Sequence, residues 1–164
     1  MVNKAFMIVL LTIISIHNMI PFHLPYGTNT KTIKTKDYLK RDILFPGDDA
    51  VTTVLFFNIN NKYHHNIISQ LNYLIINLQS QDVRFKVICI SKGDLKDFQK
   101  LDDQLHLECY LINDKKNKIS DIFNTSCNGC LQLFIIDKSS ILRYFSSQYD
   151  SYFVREIVER YSRK

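Results

Sequence analysis

The stretch "VLFFNINNKYHHNIISQL", residues 54–71, decides the fold. Its opening continues "VTT" (51–53) into a β-branched and aromatic run, the pattern of a buried strand. The polar "NINN" breaks the run. From about His64 to Gln79 the apolar residues Ile67, Ile68, Leu71, Leu74, Ile75 and Leu78 recur at three and four, which is one face of an amphipathic helix. A buried strand, a short polar loop and a helix call for a second, parallel strand, because parallel strands are joined by helical crossovers.

That strand is "RFKVICIS" (84–91). After it, "KGDLKDFQKLDDQL" predicts a shorter helix with Asp94 as its N-cap. "LECYLIN" (107–113) reads as a third strand and "ISDIFN" (119–124) as one or two helical turns. "LQLFIID" (131–137) and "ILRYF" (141–145) are separated only by "KSS", too short for a crossover, so they form a hairpin. A last helix runs from about Ser151 to Ser162, with Phe153, Ile157, Val158 and Tyr161 on one face. The order β-α-β-α-β-α-β-β-α predicts an α/β fold with a mixed central sheet flanked by helices on both faces.

The 164 residues are 46% hydrophobic and 23% charged, with four glycines and three prolines, which excludes a linker-rich or disordered chain. The net charge of +5 is scattered, with Lys31, Lys34, Lys36, Lys40 and Arg41 ahead of the core and Lys115, Lys116 and Lys118 in one loop. No basic stripe with aromatic platforms appears, so a nucleic-acid partner is not expected. "MVNKAFMIVLLTIISI" carries one lysine and then an apolar run from Ala5 to Ile16, the layout of a signal peptide or an uncleaved membrane anchor. Three regions are therefore expected: the signal or anchor (1–27), a polar tether (28–43) and a folded domain (44–164). The domain is placed outside the cytoplasm, in a periplasm or cell envelope, either secreted or held to the membrane through the N-terminal segment. There the cysteines Cys89, Cys109, Cys127 and Cys130 are free to form disulfides.

The element order, the "VLFF"–loop–helix unit, the hairpin "LFIIDKSSILRYF" and the closing helix together resemble the thioredoxin-like superfamily, in its redoxin and thiol-disulfide oxidoreductase (peroxiredoxin-like) branch. The resemblance spans about residues 44–162 and implies a three-layer sandwich. It also implies a Cys-x-x-Cys after the first strand, which would fall on Lys62 and His65, with His64 between them. Both thiols are missing. In the family the nucleophile sits at a helix N-terminus, where the dipole and free N–H groups stabilise a thiolate. Lysine cannot replace it, because thiol exchange needs sulfur on both sides. The family's cis-proline before the hairpin would fall on Leu131 or Cys130. Neither is proline, so a trans bond is expected there.

A Cys-x-x-Cys does occur in "SCNGCL", at Cys127 and Cys130. The resemblance sets it near Lys62, His64 and His65. Three uses stay open: a structural disulfide or two unused thiols; a relocated redox pair, with Lys62 or a protonated His65 lowering a thiol pKa; or a zinc or copper site of Cys127, Cys130, His64 and His65. Adjacent histidines at a helix start diverge by about 100°, so only one joins such a site easily. Cys89 and Cys109 lie mid-strand and read as core residues. His106 reads as a surface or edge residue, and Asp102 and Asp103 as solvated. No cofactor motif is present. The sequence thus points to a thioredoxin-like domain that lacks the usual redox pair and binds or scaffolds an unidentified protein, such as a thiol or disulfide protein. The alternatives are an oxidoreductase acting through Cys127 and Cys130, and a Cys/His metal-binding protein.

Overall fold

The computed structural model describes residues 25–47, 49–125 and 129–162. The expected signal or anchor thus lies almost wholly outside the described residues, as does Cys127. Among the described residues no helix is long and apolar enough to cross a membrane.

Five strands form the central sheet: β3 (Val51–Phe56), β4 (Phe85–Ser91), β5 (Tyr110–Asn113), β6 (Gln132–Ile136) and β7 (Leu142–Ser146). Their order is β5-β4-β3-β6-β7. Strands β3, β4 and β5 are mutually parallel, while β6 is antiparallel to both β3 and β7. The helices are α1 (Lys62–Gln79), α2 (Leu95–Leu105), α3 (Lys118–Ile122) and α4 (Ser151–Ser162). The predicted mixed α/β sandwich is what forms, with every predicted element present.

Alternation along the strands sorts side chains into two cores. Val51 and Leu55 of β3, Val87 and Cys89 of β4, and Leu133 and Ile135 of β6 pack with α1, α2 and α4. Val54 and Phe56, Ile88 and Ile90, and Phe134 and Ile136 face the other way, onto Ile119 and Phe123 at α3. On that side Phe56, Phe123 and Phe134 meet edge to face at ring distances of 5.0–5.8 Å. All six residues named for the α1 face are buried. At about 1.5–3 kcal/mol for each fully buried aliphatic side chain, this face fixes α1 on the sheet. In α4 the buried positions are Val154, Ile157 and Val158, while Phe153 is exposed and stacks on Tyr144. The apolar face is therefore the predicted one at Ile157, Val158 and Tyr161, with Val154 in place of Phe153, which borders it.

Residues 28–43 differ from the expected tether. Strands β1 (Ile33–Lys36) and β2 (Asp42–Phe45) pair antiparallel, and Ile33, Ile43 and Phe45 cover the Phe134 side of the sheet. The basic residues hid an alternation, "TIKTK", in which Ile33 points inward and lysines point out. The Tyr38 N–H donates to the Leu111 carbonyl of the edge strand β5 at 2.8 Å, and the Tyr38 hydroxyl donates to Asp102. Asp102 is therefore a docking point rather than a solvated charge. Burial, and then that carboxylate, push the Tyr38 phenol well above its ordinary value. At the opposite edge, Gly27 N–H donates to Leu142 O (2.9 Å) and Leu142 N–H to Thr28 O (3.0 Å).

Candidate functional site

The C-terminal ends of β3 and β4 open into a cleft of about 550 Å³. Ligand sites of open α/β sheets form at this end, where neighbouring strands connect in opposite directions. Here β4 leads away from β3 on one side and β6 flanks it on the other. Phe56, Phe57 and Ile90 form the floor of the cleft, and its walls are polar, with Asn58, Lys92, Asn117, Asp121 and Thr125. Ser91, Asp114, Ser120, Gly129 and Cys130 also line it.

One wall is the loop between β3 and α1. Its polar groups are satisfied by the loop, the first turn of α1 and Ser91 at the end of β4. The Asn58 N–H donates to His64 Nδ1 at 2.9 Å, and Ile59 N–H to Ser91 Oγ at 3.1 Å. Ser91 Oγ in turn donates to Phe57 O at 2.8 Å. His65 Nε2 meets the Ile59 carbonyl at 2.6 Å, so that nitrogen carries the proton. Asn58 Oδ1 accepts from Asn60 N–H, and Asn61 Oδ1 accepts from Tyr63 N–H, both at 2.9 Å. Asn61 is thus the N-cap of α1, one residue before Lys62. Two imidazoles, a serine and two asparagines hold the backbone where the family resemblance puts sulfur.

The site residues named from sequence separate accordingly. His64 is buried and neutral, because burial and then the neighbouring His65 charge lower its pKa. His65 is spent on the loop carbonyl. Lys62 and Tyr63 point to solvent, and none of the four lines the cleft. With one ring nitrogen of each histidine engaged by backbone, only His64 Nε2 and His65 Nδ1 are left for other partners. Among the described residues no three His, Cys, Asp or Glu side chains converge in a way that could hold a metal ion.

The second wall comes from the segment entering β6. Cys130 is exposed and disulfide-bonded. Cys89 and Cys109 are both free and buried. Gly129 has φ +88°, and a Cβ there would lie 3.2 Å from Asn58 Nδ2, so the two walls meet at this point. The expected juxtaposition of the α1 loop and the segment before β6 is therefore present, with Asn58 as the bridge rather than Lys62 or His65. The cis peptide among the described residues is Phe45–Pro46, so the bond into Leu131 is trans, as the missing proline implied.

The buried thiols behave differently from Cys130. Cys89 on β4 and Cys109 before β5 share the α1-side core. A hydrogen bond to Cys109, burial and the neighbouring thiol's charge push the Cys89 pKa well above its usual value. A protonated, buried thiol is inert.

Asn58, Asn61, Ser91, Lys92 and Asp121 were not singled out from sequence. Asn61 had a readable signal, a cap residue ahead of an apolar helical period. The others depend on tertiary proximity alone.

No family model matches the sequence, and no curated protein matches it. Solved structures do. The peroxidoxin BcpB from Mycobacterium tuberculosis superposes with a TM-score of 0.72 at 13% identity, covering 86% of this chain and 97% of that one. A peroxiredoxin-like protein from Aquifex aeolicus gives 0.71 at 11%, covering 85% and 88%. A thiol:disulfide interchange protein of the thioredoxin family from Chlorobium tepidum TLS gives 0.69 at 13%, covering 84% and 98%. The fold is thus thioredoxin-like, of the form found in peroxiredoxin-like and thiol:disulfide interchange structures.

Proposed function

We propose that the protein is a thiol–disulfide exchange protein whose working group is the disulfide of Cys130, across the cleft from the position its structural neighbours' fold would suggest. The observation that carries this reading is that Cys130 is disulfide-bonded, exposed and part of the cleft wall at the strand ends. An exposed disulfide is more open to thiol attack than a buried one, and exposed bridges tend to be the labile ones. The bridging partner in this reading is Cys127, the other cysteine of the Cys-x-x-Cys. Lys62 and His65 have no catalytic part. We infer also an extracytoplasmic, membrane-held or secreted protein, a placement supported by the apolar run at Ala5–Ile16 and by the disulfide, which persists in oxidising compartments.

The test is turnover of insulin disulfides with a dithiol as reductant. Wild type exchanges, Cys130→Ser falls to background, and Lys62→Ala and His65→Ala stay within about twofold of wild type, since neither supplies sulfur. Wild type no faster than Cys130→Ser overturns the reading.

A second reading keeps the cleft and drops the chemistry, leaving a binding or scaffolding protein for an unidentified protein partner. It is favoured by the placement of Cys130 in the segment leading into a strand rather than in the first turn of a helix, where a thiol pKa is lowered. Binding of a partner protein retained in full by Cys130→Ser supports it.

A further inference from the structure

The cleft beside Cys130 has an unusual lining for a surface that would grip an apolar protein segment. Its walls present Asn58, Asn117 and Thr125 together with two charges of opposite sign, Lys92 and Asp121. Among the described residues neither charge is in an ion pair. The third charge in the wall, Asp114, is already committed. Its carboxylate accepts the Ile119 N–H, the Ser120 N–H (2.8 Å) and the Ser120 hydroxyl (2.8 Å), and so fastens α3. Lys92 and Asp121 therefore stand available, one cation and one anion, in a single cleft with a disulfide.

An apolar segment laid into this cleft would take those groups out of water without replacing their hydrogen bonds, which is unfavourable. A small molecule with its own carboxylate and ammonium would replace them. The volume of about 550 Å³ suits a ligand of a few amino-acid units rather than a single small ion. Resting on the exchange reading above, we propose that the cleft takes low-mass zwitterionic thiols, with Lys92 facing their carboxylate, Asp121 their ammonium group, and the sulfur directed at the Cys130 disulfide.

The chemistry balances with the thiol as the only co-reactant. The thiolate attacks Cys130 Sγ, forming a mixed disulfide. The original bridge breaks, and its second sulfur leaves with the electron pair and takes up a proton. A second small thiolate then attacks the small-molecule sulfur of the mixed disulfide and releases Cys130 as a thiolate, which is protonated. Two thiols become one small disulfide, and the protein disulfide gains the two electrons and two protons.

The experiment compares glutathione, which carries carboxylates and an ammonium group, with the neutral 2-mercaptoethanol as reductants of the Cys130 disulfide in the full chain. Mass spectrometry of trapped mixed disulfides gives both rate constants. For wild type and for Lys92→Ala and Asp121→Ala, the quantity read is the ratio of the two, which cancels general effects on the disulfide. Each variant is expected to lower the ratio about fivefold, the scale of one exposed charge contact. A ratio unchanged in both variants, with both thiols still reacting, overturns the zwitterion assignment alone. If neither thiol reduces the folded protein faster than the unfolded chain, the exchange reading itself fails, and this assignment fails with it.

Discussion

The β3–α1 loop and the segment ending at Cys130 touch through Asn58 and Gly129, yet they are built on opposite terms. The first lies at the N-terminus of α1, where a dipole and unpaired N–H groups favour an anion, and it holds no sulfur. The second carries sulfur but leads into β6 and is not itself part of a helix. In the first loop imidazole and hydroxyl side chains close hydrogen bonds on the backbone of residues 57–59. In the second, Cys130 is disulfide-bonded and exposed. The contrast teaches that a fold can separate the place that activates a thiol from the place that keeps one.

The sharpest way to break that contrast is to put sulfur back into the first loop. Lys62→Cys is expected to give a thiol alkylated at neutral pH about tenfold faster than a cysteine in the unfolded chain, because helix N-termini lower thiol pKa. Equal rates would mean that the loop no longer presents the helix end. A smaller effect is expected at His64. His64→Ala leaves the partly buried Asn58 N–H without its acceptor and should cost about 1 kcal/mol in urea unfolding. A loss near zero would show that water takes over the bond.

Gly129→Ala comes next, at about 1 kcal/mol, because φ +88° and the 3.2 Å approach to Asn58 both oppose a Cβ. The gentlest probe is pH. His64 in the folded protein titrates below its ordinary 6.5, so on acidification the unfolded chain takes up the proton first. Its contribution is full above about pH 6.5 and is lost as the pH falls through the lower folded value. Unfolding curves of wild type and His64→Ala should converge over that window, and parallel curves would remove His64 as the cause.

The fold was largely legible because the central strands and α1 carry strong periods. Apolar runs such as Val51–Phe57 and the three-and-four spacing from Ile67 to Leu78 leave little choice of structure. The hairpin β1–β2 was missed because its lysines and threonines read as solvated chain, and only Ile33, Ile43 and Phe45 pin it down. At the site, the sequence placed two loops side by side and assigned their contact to Lys62 and His65. The contact belongs to Asn58, an asparagine with no local signal, and both histidines turn inward. Which way a side chain turns at a helix start depends on how the loop before it folds back, here on the Asn58 N–H that meets His64 and the Ile59 carbonyl that meets His65.

The segment from Gly27 to Phe45 has a further consequence. It bonds to the start of β7 at one border of the sheet and, through the Tyr38–Leu111 bond, to β5 at the other, crossing the Phe134 side between them. One continuous piece of chain thus touches the hydrogen-bonding rims on both sides, which in bare form recruit strands from other molecules. A chain shortened to begin at residue 44 would uncover both rims and the apolar surface under Ile33 and Ile43 together. The expected result is self-association of the shortened chain, read as a rise in apparent mass on size-exclusion chromatography.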